Sequence, residues 1–332
     1  EFRGLTLDGG TWSASTVPMA DRSSNGSFGR PYFLAVDGDN RPVVVADTAE
    51  GVAVLRGDGG AWTRLEPLQT LPSDAQLSLH TPNLLAAAWD SEDGRVRFLA
   101  GDWLFEVEGD AIATAHALDT GISLADRVSF TDCLFDSTGP LAGEAACYAW
   151  QSDAEDEVFL IALDCTAEPC TWEEVPGVGL GTRDPGGSSN SLRRVFLHLE
   201  DGTPLLVRPV GPAEGDATYT LLASTPDEDR VLIEENVYFA GAAERPSGGY
   251  AALGATYSNR LLLVIVDSDG AQREVDLGRV TASSQADPLP LVIEATPDGE
   301  VAHAFLAKSA NALLHVRVDL TTDEVSRETI GL

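Results

Sequence analysis

The sequence predicts an all-β protein assembled from repeated four-stranded units, and three observations carry that prediction. The apolar residues come in short runs that are separated by turns rich in Gly, Asp and Pro. One order of strands and turns recurs with a period of roughly 40–50 residues, which is typical of repeat architectures. No segment keeps the apolar spacing of a helix over several turns.

The clearest unit lies between residues 32 and 66. Its turns contain Asp-Gly and Gly-Gly pairs, at 37–38 and 58–60, which supply the positive φ angles that hairpin turns need. The runs between the turns are rich in Val, Leu and Ala, as buried strands are. Its four predicted strands begin at Tyr32, Val43, Gly51 and Thr63.

Six such units are predicted along the chain. In the second of them, residues 111–115 are left over as a surplus strand. An additional hairpin, residues 1–17, looks like the last two strands of an incomplete unit. The units begin near Tyr32, Leu77, Val128, Arg194, Val237 and Leu291.

Four-stranded units of this kind, arranged radially, form a β-propeller. We therefore expect residues 1–332 to form a single β-propeller domain of six blades, or of seven if the N-terminal hairpin contributes to a blade. That hairpin, residues 1–17, is expected to help close the ring. A stack of β-sandwiches is the competing architecture, but it does not explain why the same turns recur.

Two turns resemble the Asp-box of sialidase-like (BNR-like) propellers. Residues 6–12 and 56–62 both carry Asp-Gly-Gly-x-Trp, one residue shorter between Gly and Trp than the family pattern. The wider unit resembles repeats of secreted bacterial β-propellers, in which a strand ends in Asp-x-x-Gly-x-Pro. The resemblance implies a propeller that is secreted, periplasmic or at the cell surface. It transfers no activity, because one fold carries many functions.

Tryptophans recur at the start of the predicted outer strands. Trp12, Trp62 and Trp172 share this place, and Trp103 is a further candidate. Each repeat has to bury its own face against a neighbour, so we expect these side chains to cover the seams between units.

The four cysteines predict two disulfides, Cys133–Cys147 between neighbouring strands and Cys165–Cys170 across a turn. The alternative is a four-thiolate zinc site, but the chain has no Cys-x-x-Cys spacing. Paired cysteines are typical of proteins outside the cytoplasm.

The formal net charge of -32 bears on partners. Such a chain repels phosphate backbones and anionic membranes, so nucleic acid is not an expected partner. The charge is interpreted as a means of solubility, or as a surface that attracts divalent cations or a basic partner. No apolar run is long enough for a membrane-spanning helix, so membrane insertion is not expected.

No cofactor is predicted. The segments 37–40 and 267–270 begin like calcium loops, but neither has the later ligands of the EF-hand spacing, so a structural Ca²⁺ has no motif behind it. The nearest pair of histidines, His303 and His315, falls on adjacent strands of one unit. A metal site there is the alternative to two ordinary histidines.

The loops that enter each first strand carry mixed Asp and Arg and should line one face of the propeller. Loops on a rigid scaffold are where binding residues tend to lie. A glycan or a protein could contact this rim, or its charges could simply be solvated ion pairs. The candidate rim residues are Asp21, Arg22, Arg30, Asp126, Arg127, Arg183, Asp184 and Arg193.

The sequence contains no Gly-x-Ser-x-Gly motif and no assignable catalytic set. We therefore interpret the chain as a non-catalytic binding or scaffold propeller outside the cytoplasm that recognises a protein or a carbohydrate. The alternative is a sialidase-like carbohydrate-active hydrolase or lyase. The oligomeric state is left open by the sequence.

Overall fold

A computed structural model gives the fold of the chain. The residues that it describes are 2–8, 11–18, 32–39, 41–58, 60–81, 84–89, 95–119, 128–135, 145–151, 157–182, 195–199, 201–211, 219–280, 291–309 and 312–331. The chain divides into two compact units. The first unit comprises Glu1–Ala154 and Phe159–Pro176, and the second comprises Glu155–Val158 and Gly177–Leu332.

The first unit opens with a hairpin of β1 (Phe2–Asp8) and β2 (Thr11–Val17). The first sheet follows, with β3 (Tyr32–Val36), β4 (Pro42–Thr48), β5 (Gly51–Asp58) and β6 (Ala61–Arg64). A short strand β7 (Glu66–Pro67) and one helix, α1 (Ser73–Leu79), lead to the second sheet, with β8 (Leu84–Trp89), β9 (Val96–Ala100), β10 (Trp103–Glu108) and β11 (Ala111–Asp119). The third sheet has β12 (Val128–Phe135), β13 (Ala145–Gln151), β14 (Glu157–Asp164) and β15 (Cys170–Thr182).

The second unit contains three further sheets. The fourth sheet has β16 (Val195–His198), β17 (Pro204–Val210), β18 (Thr220–Ser224) and β19 (Asp229–Ile233). The fifth has β20 (Val237–Glu244), β21 (Tyr250–Thr256), β22 (Arg260–Val266) and β23 (Gln272–Arg279). The sixth has β24 (Leu291–Thr296), β25 (Gly299–Ser309), β26 (Ala312–Asp319) and β27 (Val325–Gly331).

Within each of these six groups the four strands pair in chain order, as a meander. The second and third sheets are also joined edge to edge, because β11 pairs with β15 in parallel at Leu118 and Cys170. The predicted repeat of four strands paired in chain order is therefore present in both compact units.

The two middle strands of the fifth sheet explain the short apolar runs of the sequence. Every residue of β21 is buried, and so are six of the seven in β22. Alternate side chains of these strands enter two different cores: Leu253 and Leu263 pack with the sixth sheet, whereas Leu262 and Val264 pack with the fourth. A strand that is covered on both faces is apolar at successive positions and does not alternate with polar residues.

Arginines repeatedly tie one sheet to the next. In three places an arginine of a third or fourth strand donates to a backbone carbonyl in the last turn of the following sheet. These pairs are Arg56 to Gly109, Arg230 to Gly270 and Arg273 to Leu320. An arginine contact of this kind therefore links the first sheet to the second, the fourth to the fifth and the fifth to the sixth.

The second sheet corrects one predicted boundary. Residues around Leu77 form α1 instead of a first strand, and the sheet begins at Leu84. Residues 111–115 are consequently not surplus, because they belong to the fourth strand, β11. Trp103 begins the third strand, β10, so it does not share the place of Trp62.

The predicted disulfide Cys165–Cys170 is present and closes the turn between β14 and β15. Cys133 and Cys147 are register partners in β12 and β13. Their side chains lie outside the described part of the structure, so the second bridge stays a prediction.

Trp62 is half-buried in the first sheet. It lies opposite Gly57 across the β5–β6 pair, and a Cβ added at Gly57 would come within 3.3 Å of the Trp62 ring. The ring also packs against a cluster of Val17, Ala53 and Leu55. The outer tryptophan therefore covers the contact between the N-terminal hairpin and the first sheet.

We expect Trp62→Ala to lower the free energy of unfolding by about 2 kcal/mol, less than the roughly 3–5 kcal/mol of a fully buried tryptophan. Urea denaturation followed by fluorescence would measure it, with Trp62→Phe as the control that keeps part of the contact. A loss below about 0.5 kcal/mol, the range of ordinary surface substitutions, would show that the ring does not stabilise this contact.

Candidate functional site

An exposed tyrosine and an ion-paired arginine lie at one end of the fifth sheet. Tyr257 is in the turn between β21 and β22, and 60% of its surface is exposed. Arg260 begins β22, and Glu235 lies in the short connection that enters β20. Both segments are at the same end of the sheet, because the strands run antiparallel. We call Glu235, Asn236, Tyr257, Arg260 and Asp276 the Tyr257 site.

Backbone hydrogen bonds fix the turn that carries Tyr257. The Tyr257 N–H donates to the Asn236 carbonyl over 2.8 Å, and the Val280 N–H donates to the Asn259 carbonyl over 2.8 Å. Asn259 takes the left-handed conformation, with φ of 62°. The tyrosine is therefore presented to solvent from a turn that is bonded on both sides.

The Arg260 guanidinium lies between two carboxylates. Its Nη2 is 3.0 Å from Oδ2 of Asp276, and its Nη1 donates to Glu235. The hydrogen bond from the Gly278 N–H, together with the guanidinium, lowers the pKa of Asp276, and the bond to Asp276 raises the pKa of Arg260. The group carries one net negative charge, since two carboxylates surround one cation.

Solvent reaches all three charged groups. The exposed fractions of the side chains are 33% for Arg260, 41% for Glu235 and 51% for Asp276. Exposed ion pairs contribute on the order of 1 kcal/mol or less to stability. What the pairs provide here is a fixed direction for hydrogen-bond donors and acceptors that are still accessible to a ligand.

The site continues onto the fourth sheet through Asn236. The side-chain oxygen of Asn236 accepts from the Tyr219 N–H over 2.9 Å, and the Val237 N–H donates to the Tyr219 carbonyl. Tyr219 is half-buried and immediately precedes β18. Asn236 thus joins two tyrosine-bearing segments at the seam between the fourth and fifth sheets.

This arrangement suits a molecule with an apolar face and several hydroxyls. The ring of a tyrosine offers a flat apolar surface with a polar tip, and ionised groups make stronger hydrogen bonds than neutral ones. A sugar ring combines an apolar C–H face with hydroxyls around its edge, so it matches both features.

All eight predicted rim residues lie outside the described residues: Asp21, Arg22, Arg30, Asp126, Arg127, Arg183, Asp184 and Arg193. Their role stays a prediction. In the Tyr257 site, Glu235 and Asn236 lie in the connection that enters the first strand, whereas Tyr257 lies in the turn between the second and third strands. The sequence carried one sign of it that was missed, a tyrosine inside the turn 257–259, where a core aromatic has no place.

The two calcium-like segments are turns. Asp37 accepts the backbone N–H groups of Asp39 and Arg41 and pairs with the Arg41 side chain. Asp267 pairs with Arg245. Among the described residues, no group of three or more His, Cys, Asp and Glu side chains is arranged to hold a metal ion. Within the residues that the structure describes, no helix has the length and apolar character that crossing a membrane requires.

No family model and no curated protein matches the sequence. Among solved structures, AofleA from Arthrobotrys oligospora is similar, at 10% identity over 91% of this chain and 86% of that one, with a TM-score of 0.51. The SapL1 lectin in complex with alpha methyl fucoside is 13% identical over 92% and 97%, at a TM-score of 0.48. A putative TolB from Agrobacterium tumefaciens is 13% identical over 76% and 83%, at a TM-score of 0.42.

These similarities concern the fold. AofleA, at a TM-score of 0.51, is a propeller, and the chain itself consists mostly of strands in antiparallel sheets. The chain is accordingly an all-β protein with a propeller fold, as the repeats predicted. At these identities the similarity carries no ligand or activity to this chain.

Proposed function

We propose that this chain is a non-catalytic propeller that binds carbohydrate, and that the Tyr257 site is one of its binding surfaces. The observation that carries the proposal is an exposed Tyr257 in the turn that leads into Arg260, whose guanidinium two carboxylates hold in place. The ring would stack on the apolar face of a sugar. Arg260, Glu235 and Asp276 would bond to its hydroxyls.

The charge of the site favours a neutral sugar over an anionic one. One guanidinium is already shared by two carboxylates, so no free cation of the site remains for a sialic or uronic acid. The formal net charge of -32 acts in the same direction at longer range.

The wider architecture proposed with it is one propeller domain over residues 1–332, with six blades formed by the six sheets. A location outside the cytoplasm is part of the proposal. The disulfide Cys165–Cys170 supports it, since such bridges persist in oxidising compartments, and so does the resemblance to secreted propeller repeats.

Binding would be measured on a glycan array and then by calorimetry with the neutral glycosides that the array selects. Alpha methyl fucoside is a defined first probe, and a sialylated glycan is the charged comparison. We expect saturable binding of neutral glycans without release of sugar. Cleavage of a glycoside would contradict a non-catalytic protein, and an array without any bound glycan would contradict the proposal as a whole.

We expect Tyr257→Ala to weaken the binding of a selected neutral glycan about tenfold or more, which corresponds to about 1.4 kcal/mol. Truncation removes the stacking surface and leaves the backbone turn intact. Calorimetry would measure the effect. Leu77→Ala is the matched control, because Leu77 is an equally exposed large apolar side chain, at 66%, on α1. Equal affinities of the two variants would remove Tyr257 from the binding surface.

A further inference from the structure

A hydrogen-bonded chain of four side chains crosses the sixth sheet. Each strand contributes one member: Glu294 from β24, His303 from β25, His315 from β26 and Glu328 from β27. Oε1 of Glu294 is 3.3 Å from Nε2 of His303, Nδ1 of His303 is 2.9 Å from Nε2 of His315, and Nδ1 of His315 is 2.7 Å from Oε1 of Glu328.

The two histidines in the middle of this hydrogen-bonded row are largely buried, whereas the two glutamates at its ends are exposed to solvent. The side chains of His303 and His315 are 16% and 6% exposed, whereas those of Glu294 and Glu328 are 59% and 55% exposed. The planes of the two imidazole rings are within 6° of each other. Each ring therefore directs one nitrogen at its partner ring and the other at a carboxylate.

A count of protons shows that two neutral histidines cannot supply a proton to every hydrogen bond among these four side chains. It has three contacts, and each needs one proton between its two heavy atoms. Ionised carboxylates only accept, and a neutral imidazole carries one proton. Two neutral rings supply two protons, so in one contact a nitrogen lone pair would face a second acceptor. A third proton completes the chain.

The surroundings indicate which ring holds the third proton. The ring of Phe305 lies parallel to that of His315, with 4.8 Å between centroids and 10° between planes, and an aromatic face attracts a cation. Burial lowers the pKa of His303, and the charges of His315 and Arg317 lower it further, although Glu294 opposes them. Both observations favour His303 as the ring that accepts the hydrogen bond between the two rings.

We propose that His303 and His315 share three ring protons at neutral pH. We further propose that this row of four hydrogen-bonded side chains makes the sixth sheet sensitive to alkaline pH. In the complete state, His315 donates to both Glu328 and His303, and His303 donates to Glu294. The charged groups facing the pair are Glu294 on β24, Arg317 on β26 and Glu328 on β27.

Loss of the third proton would leave one of the three contacts without a proton. The contact between the two rings, on β25 and β26, would break, because two nitrogen lone pairs repel each other less than a lone pair and a carboxylate do. The contribution of the chain is fully present while the proton is bound and is lost as the pH rises. Its apparent midpoint belongs to the coupled pair and not to one residue.

Ring nitrogen chemical shifts test the count, since protonated and unprotonated imidazole nitrogens resonate far apart. Spectra of the ¹⁵N-labelled full-length protein would be recorded from pH 6 to 9. The protein has five histidines to assign. We expect three of the four ring nitrogens of the pair to be protonated at pH 7.5, with one lost at higher pH. Two protonated nitrogens at pH 7.5 would overturn the proposal.

Glu328→Gln separates this role from simple packing. The glutamine amide is similar in shape, carries no charge and can itself donate to Nδ1 of His315, so the third proton is no longer required. We expect the midpoint of the pair to fall by about one pH unit, a tenfold weaker hold on the proton. Glu324→Gln is the matched control, an exposed glutamate just before β27. An unchanged midpoint in Glu328→Gln would overturn the proposal, because the proton would then not depend on this carboxylate.

Discussion

Arg245→Met is expected to lower the free energy of unfolding by about 3–5 kcal/mol, as the loss of one partner from a buried ion pair does. Arg245 is 9% exposed at the end of β20. Its Nε and Nη2 lie 2.9 and 2.8 Å from Oε2 of Glu300, and its Nη1 bonds to Asp267. Methionine would keep much of the volume but remove every one of these donors.

Glu300 makes the loss costly because it cannot turn to solvent. Its side chain is 11% exposed. Burial by itself raises the pKa of Glu300, but the hydrogen bonds from Ser247 and Arg245 outweigh burial and lower it. Without Arg245 a buried carboxylate keeps the Ser247 bond alone, and its charge is uncompensated.

Arg64→Met is the matched control for this prediction. Arg64 also has two carboxylates nearby, Glu50 at 3.9 Å and Glu66 at 3.5 Å, but its side chain is 44% exposed. We expect that variant to lose less than about 1 kcal/mol. Equal losses in the two variants, measured by urea denaturation, would contradict a special role for the buried cluster. A second variant, Arg245→Met/Glu300→Gln, should recover part of the stability, because no buried charge remains.

This cluster also illustrates what the sequence could not predict. Arg245 and Glu300 are 55 residues apart and belong to different sheets. Their contact depends on how the fifth and sixth sheets pack, which no local pattern encodes. The same holds for the pairing of Glu235 with Arg260, which forms the Tyr257 site only once β20, β21 and β22 are assembled in one sheet.

Local patterns, in contrast, predicted the strands well where a run of apolar residues is bounded by turns. The run that starts at Gly51 became β5, and the predicted starts at Val237 and Leu291 coincide with those of β20 and β24. The turns follow from the same chemistry. Asp201 and Asp269 each accept the backbone N–H two residues further along, as expected of aspartates in tight turns.

The helix α1 was missed because it is too short to show a period. Over its seven residues only Ala75 and Leu79 are buried, one turn apart. Two apolar residues at that distance also fit a strand with an irregular face. Because the helix was not recognised, the second predicted four-strand repeat was placed to begin near Leu77. The fourth strand of that repeat was then left as surplus.

The packing of α1 gives the second large expected effect, at Gly51. This glycine begins β5 with φ of +112°, a conformation that side chains rarely adopt. A Cβ added there would lie 2.2 Å from the backbone oxygen of Leu79 and 2.7 Å from the carbonyl carbon of His80. Those atoms are the backbone at the end of the helix, so they cannot move aside without moving α1.

We expect Gly51→Ala to lower the free energy of unfolding by about 4 kcal/mol. Roughly 1–3 kcal/mol comes from the backbone conformation, and about the same again from forcing the helix away. Urea denaturation would give the loss. Hydrogen exchange should in addition show faster exchange at the amides of α1, because the helix end is displaced.

Gly60→Ala separates the two contributions. Gly60 also has a positive φ, +91°, but a Cβ there would have no heavy atom within 4 Å. That variant should show only the cost of the backbone conformation, about 1–2 kcal/mol, with unchanged exchange in α1. If Gly51→Ala lost no more than Gly60→Ala, the close approach between β5 and α1 would be absent. The difference between the two variants is therefore a direct measure of how firmly the helix is held against the first sheet.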